Sequence, residues 1–149
     1  MNAATICTRD VVTCRQDTTV LEAARLMRNH HVGDLIVVEE SASGRMPLGV
    51  ITDRDIVLSV VAKEVDPAKL FVSEMMSTPV VSAYEWEDEW QLLRRMRLHG
   101  VRRLPVLGDA DELIGIVAFD DLLEAASGFL SELWLVTGRQ SHFEEKHRT

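Results

Sequence analysis

The sequence predicts an α/β (α+β) fold of two β-α-β-β-α repeats related by pseudo-two-fold symmetry, with a C-terminal helical extension. Three observations carry this. The chain repeats itself: Val11-Val12, Met27, His30, Val32 and Val37 recur as Val80-Val81, Met96, His99, Val101 and Val106, each 69 residues on. Past a hairpin loop, Gly49-Val50-Ile51 recurs as Gly115-Ile116-Val117, now 66 residues on, so the second loop has lost three residues where indels are tolerated. Finally, a unit of this size cannot bury both faces of a small sheet alone, whereas two packed face to face can. The symmetry sets the sheets back to back and opens two related clefts, each beside a strand-to-helix turn: Thr52 to Asp55 and Ala118 to Asp121.

The elements follow in order. Residues 1–10, with Ile6 and Cys7 as their apolar anchors, read as a lead-in turn, and Val11-Val12-Thr13 as a short strand. Asp17-Thr18-Thr19 supplies caps for a helix from Val20 to Asn29, whose apolar residues recur at helical spacing. His30 to Gly33 breaks it. Leu35 to Val38 is a β-branched strand, 39–45 a hairpin loop, Leu48 to Ile51 the returning strand, and Asp53 to Lys63 a helix. The second copy follows the same plan. The expected organisation is repeat one over 5–64, a linker over 65–74, repeat two over 75–126, and a helical extension with a frayed tail over 127–149.

Bulk properties bound the function. The chain has 149 residues and 46% hydrophobic content, as in a globular protein. It shows neither a membrane-spanning apolar run nor a signal-peptide pattern. A net charge of -8 argues against a nucleic-acid-coating face. Cys7 and Cys14 stand in no metal-binding or redox spacing and read as free thiols in a reducing cytoplasm. The five histidines accompany no ligand cluster, and no nucleophile elbow, phosphate-binding glycine loop or carboxylate pair with a partner base is present, so the chain does not read as an enzyme.

The informative stretch is Gly49 to Ile56. A small apolar strand ends abruptly at Thr52, with Asp55 three residues on. This is the pattern of a helix cap, and equally of a hydroxyl and a carboxylate aimed at a ligand. In the second copy Ala118 replaces the hydroxyl while Asp121 is retained. Arg102 and Arg103 precede a strand and suit either a bidentate clamp on phosphate or a surface ion pair. Arg94, Arg95 and Arg97 end a helix with an acidic start, as the helix dipole favours.

The duplicated turns, Met75-Met76-Ser77-Thr78-Pro79-Val80 and Arg102-Arg103-Leu104-Pro105-Val106 together resemble a tandem cystathionine-β-synthase (CBS) domain pair, or Bateman module, over about residues 5–126. The resemblance implies a stand-alone sensor of an adenosine derivative (AMP, ADP, ATP, NAD or S-adenosylmethionine) that modulates an unidentified effector protein. It implies Thr52 and Asp55 as ligand residues, with Arg102, Arg103 and Asp121 as further candidates, and it demands no metal. It also implies a homodimer. Phe129, Leu130, Leu133, Trp134 and Val136 continue the last helix through or around Gly128, and pack either on their own module or on a second chain. Trp86 and Trp90, four apart, read as one helical stripe. The alternative is a dimeric interaction scaffold that binds no small molecule, in which Thr52 and Asp55 only cap.

Overall fold

The structure, a computed structural model, describes residues 1–148. The first half contains α1 (Ala3–Ile6), β1 (Thr13–Cys14), α2 (Val20–His30), β2 (Asp34–Ser41), β3 (Gly44–Thr52) and α3 (Asp53–Ile56), which continues as a π-helical segment over Val57–Val61. Two 3-10 turns, Pro67–Lys69 and Val72–Glu74, lead to β4 (Ala83–Tyr84), α4 (Glu89–His99), β5 (Arg103–Leu107), β6 (Leu113–Ala118) and α5 (Phe119–Arg148). Each half builds a three-stranded sheet whose middle strand is parallel to the first strand and antiparallel to the third.

Local chemistry explains these elements. A reciprocal cap starts each long repeat helix, Thr19 with Glu22 for α2 and Asp88 with Gln91 for α4. A left-handed residue ends each, His31 at φ 55° and Gly100 at φ 63°. The middle strands carry an unbroken apolar run, Leu35 to Val38 in β2 and Leu104 to Leu107 in β5, because both of their faces are covered there. Leu35 and Val37 of β2 pack with Cys14, Ala23, Met27 and Ile51, while Ile36 and Val38, with Val50 of the neighbouring strand, face the other repeat, where they meet Leu113 and Ile116. In the second repeat Leu104 and Val106 join Leu92, Met96 and Val117. Both sheets bulge at equivalent places, between Val37 and Val38 and between Val106 and Leu107. The duplication thus extends to its irregularities.

The repeats also exchange their lead-in segments. Thr8 pairs with Ile116 of β6 through two hydrogen bonds of 2.9 Å, while its equivalent 69 residues on, Ser77, pairs with Val50 of β3. Ala3, fully buried, seals the core of the second repeat, and Val72, its equivalent, seals that of the first. The segment read as a lead-in turn thus places Ala3 in a core, with Ile6 and Cys7 packed against it, and the segment read as a linker over 65–74 places Val72 in the other. The exchange also explains two glycines. A Cβ on Gly49 would lie 2.7 Å from Met76 Sδ and 3.0 Å from Ser77 O; one on Gly115 would lie 2.6 Å from Cys7 Sγ and 2.9 Å from Thr8 O. Only glycine lets the crossing segment through.

Three further expectations are corrected. The helix expected over Asp53 to Lys63 is α-helical only to Ile56 before it widens to π geometry. Trp86 lies outside α4, in the turn before its cap, where it stacks on Tyr84 at 4.7 Å; it shares no helical stripe with Trp90. α5 passes through Gly128 and stays helical to Arg148, where fraying was expected from Ser141; Thr149 lies outside the described residues. Its first turns pack through the buried Leu122, and every residue from Ser127 to Arg148 is exposed.

Candidate functional site

Both strand-to-helix turns open onto one continuous cleft of about 710 Å³ between the repeats, where two separate clefts were expected. Its floor is apolar, formed by Ile36 and Val50 from one repeat and Pro105 and Ile116 from the other. One wall carries Thr52, Asp53 and Arg54; the opposite wall carries Ala118, Phe119 and Asp120.

The turns are held in the same way. Asp53 N donates to Gly33 O at 2.9 Å, and Phe119 N, its equivalent, donates to Arg102 O at 2.8 Å. In the first repeat Thr52 and Asp55 form a reciprocal cap: Thr52 N donates to Asp55 Oδ2 at 2.9 Å and Asp55 N to Thr52 Oγ1 at 3.1 Å. In the second, Ala118 N donates to Asp121 Oδ2 at 2.7 Å, and half of the cap is missing because Ala118 has no hydroxyl.

Of the residues singled out in the sequence, Thr52, Arg102 and Arg103 therefore line the cleft. Asp55 and Asp121 stand behind the walls, engaged with the backbone of the turns. Arg102 lies over the Phe119 ring, 5.1 Å from its centroid, and 3.7 Å from Asp120 Oδ1. Arg103 Nη1 donates across the cleft to Asp34 Oδ1. Asp34, Arg54 and Phe119 are cleft residues that the sequence reading passed over. Asp34 was findable, because adding the repeat offset of 69 to it lands on Arg103. Arg54 makes no ion pair among the described residues, so the cleft holds a guanidinium free to meet an anion.

No histidine or cysteine lines the cleft. Burial pushes the Cys14 thiol up to about 11 and raises Cys7 as well, so both are protonated packing side chains at neutral pH. Among the described residues no group of three or more His, Cys, Asp or Glu is placed to hold a metal ion. No helix of the described residues is long and apolar enough to cross a membrane.

Comparison with known proteins agrees with this architecture. The family model of the CBS domain matches twice, over residues 3–62 and 72–128. The CBS domain-containing protein YhcV of Bacillus subtilis is 42% identical over 118 residues, covering 77% of this chain and 78% of that protein. The uncharacterized protein MK0525 of Methanopyrus kandleri is 36% identical over 116 residues, covering 78% of this chain but only 58% of that protein. An inosine-5'-monophosphate dehydrogenase of Methanocaldococcus jannaschii is 33% identical over 116 residues, 78% of this chain and 22% of that enzyme. Among solved structures, a putative signal-transduction protein with CBS domains from Burkholderia ambifaria superposes with TM-score 0.74 at 27% identity, covering 85% of this chain and 93% of that one. The CBS domain pair of MJ0100, solved with 5'-methylthioadenosine and S-adenosyl-L-methionine, shares the fold at TM-score 0.74 and 24% identity, over 86% and 97% of the two chains. The chain belongs to the CBS domain family, and its two repeats form one CBS pair.

Proposed function

We propose that this CBS pair is a non-catalytic regulatory module that binds an adenosine-containing ligand in the inter-repeat cleft and thereby alters the binding of an effector protein. The observation that carries this reading is the composition of the cleft. An apolar floor suited to a purine is ringed by a hydroxyl at Thr52 and guanidinium groups at Arg54, Arg102 and Arg103. About 710 Å³ is in the range of small-molecule sites. Thr52 Oγ1 accepts from Asp55 N, which leaves its proton for a phosphate or ribose oxygen. Asp55 stands behind the wall, where its Oδ2 accepts from the Thr52 amide, so its part is to hold the turn and the Thr52 hydroxyl in place for the ligand. On the Ala118 side Asp121 is a weaker candidate, because no hydroxyl accompanies it. Ligand favours one relative placement of the repeats, and the effector reads that placement.

The same reading includes self-association through α5. Phe129, Leu133, Val136, Gln140 and Phe143 recur at alternating spacings of four and three, the seam of a coiled coil, and the four apolar ones are each at least 50% exposed. A second copy of the helix would cover them. The unpaired thiols at Cys7 and Cys14 suit a reducing compartment, and we place the protein in the cytoplasm.

The test is a thermal-shift titration with AMP, ADP, ATP, NAD, S-adenosylmethionine and 5'-methylthioadenosine, with wild type beside Asp55→Ala. A ligand that binds only the folded state raises the Tm in a concentration-dependent way. A shift with one of these compounds that disappears in the variant supports the reading. Cooperative melting that none of them moves favours instead a dimeric scaffold without a small ligand, for which the occupied cap at Thr52 and Asp55 already speaks.

A further inference from the structure

Asp34 and Arg103 are the same position in the two repeats. Each is the first residue of the middle strand of its sheet, and each pairs in register with the last residue of the neighbouring strand, Asp34 with Thr52 and Arg103 with Ala118. Duplication has thus left a carboxylate beside the turn with the hydroxyl and a guanidinium beside the turn without it. The pseudo-two-fold axis brings the two together across the cleft, where Arg103 Nη1 donates to Asp34 Oδ1. The Asp34 side chain is 12% exposed and that of Arg103 48%. Among the described residues Asp34 has no other ion-pair partner.

We propose that this ion pair is a clasp that sets the charge preference of the cleft, with Asp34 acting as a built-in competitor against the phosphates of a bound nucleotide. The proposal rests on the adenosine-binding reading above and adds which members of that class are favoured. A phosphate that reaches Arg103 draws it from Asp34 or shares it. Either way a largely buried carboxylate is left facing an added anion, with less compensating charge than before. A neutral nucleoside makes no demand on Arg103 and binds with the clasp closed. Arg54 and Arg102 remain for phosphate in both states, so the clasp grades affinity without forbidding anions. Because Asp34 and Arg103 belong to different repeats, opening the clasp also removes a direct link between them. That couples ligand charge to repeat placement, the quantity an effector would read.

Calorimetric titration of adenosine, AMP and ATP into wild type and Asp34→Asn tests this. Asparagine keeps the size of the side chain and removes the competing charge, and Asp34→Ser serves in the same role if the first variant melts early. The expected result is that AMP and ATP bind about tenfold more tightly to the variant, the scale of one partly screened charge pair, while adenosine changes less than about twofold. Arg103→Gln should instead weaken AMP and ATP and again leave adenosine alone. Parallel changes for adenosine and the nucleotides, or weaker nucleotide binding to Asp34→Asn, would overturn the clasp while leaving the adenosine site standing. Failure of all three compounds to bind wild type and variants alike would overturn the adenosine site and the clasp with it.

Discussion

Gly115→Ala tests whether the exchanged lead-in segments hold the two repeats together. The new Cβ would sit 2.6 Å from Cys7 Sγ, 2.9 Å from Thr8 O and 3.1 Å from Cys7 Cβ. A sulfur can swing aside, but Thr8 O is backbone and is fixed by its bond from Ile116 N. The N-terminal segment must therefore shift. Two backbone hydrogen bonds between Thr8 and Ile116 are then weakened or lost, at about 1 kcal/mol each. Crowding in the packed core adds about 1 kcal/mol or more, with the burial of Ala3 at risk. A total of about 3 kcal/mol in a chain of this size corresponds to a fall in Tm of roughly 6–12 °C. Adding Cys7→Ala should recover only part of that fall, because the Thr8 carbonyl remains in the way. Gly128→Ala is the control: nothing lies near its Cβ, and the substitution should be neutral or stabilising in the middle of α5. Calorimetric melting gives the Tm, and hydrogen exchange at Thr8 and Ile116 locates the damage. A Gly115→Ala protein with unchanged Tm and both amides still protected would refute the exchange as a source of stability.

Three further outcomes are expected. Glu87 is buried, with Oε1 bound by Arg95 Nη1 at 2.8 Å and by Tyr84 N at 3.0 Å, while Oε2 has no partner. Arg95→Met should therefore cost about 3 kcal/mol in chemical denaturation, and adding Glu87→Gln should restore part of it, since an unpaired buried charge is the damage. The Cys14 thiol is raised from 9.0 to about 11 in the folded chain, so the native state holds its proton more tightly than the unfolded state. Its contribution is complete below pH 9 and is lost as the pH rises towards 11; the loss is on the order of 1–2 kcal/mol after solvent screening, and Cys14→Ala should remove that part of the slope in a pH series of melts. Leu133→Glu puts a charge in the exposed seam of α5 and should shift sedimentation from dimer to monomer without lowering the helix content of the CBS pair.

The sequence made the repeats legible because duplication leaves equivalent residues at a constant offset, and Met27 with Met96 or Val37 with Val106 do take equivalent core positions. Thr52 was legible as a turn residue for a different reason, the cap pattern it makes with Asp55 at the end of an apolar strand, since its equivalent is Ala118. The exchange of lead-in segments was not: 1–10 read as a lead-in turn and 65–74 as a linker, because a single small apolar residue such as Ala3 or Val72 in a polar stretch carries no periodicity that marks it as core. The glycines at 49 and 115 held that information, but their meaning appears only when the crossing backbone is seen. Asp55 and Asp121 were legible as partners of the turn, and spacing alone does not tell which side of the wall a carboxylate stands on; their bonds to Thr52 N and Ala118 N decide it. Trp86 has helical spacing to Trp90, but the cap at Asp88 starts the helix between them.

The cleft can be tested most directly by mapping amide chemical shifts of the labelled protein during titration with AMP and with adenosine. The account predicts a common saturating shift at Gly33, Thr52, Arg54, Arg102 and Ala118, on both walls of the cleft, with α5 unmoved beyond Ser127. Saturable shifts confined to residues outside the cleft, or no saturable shift with either compound, would contradict it.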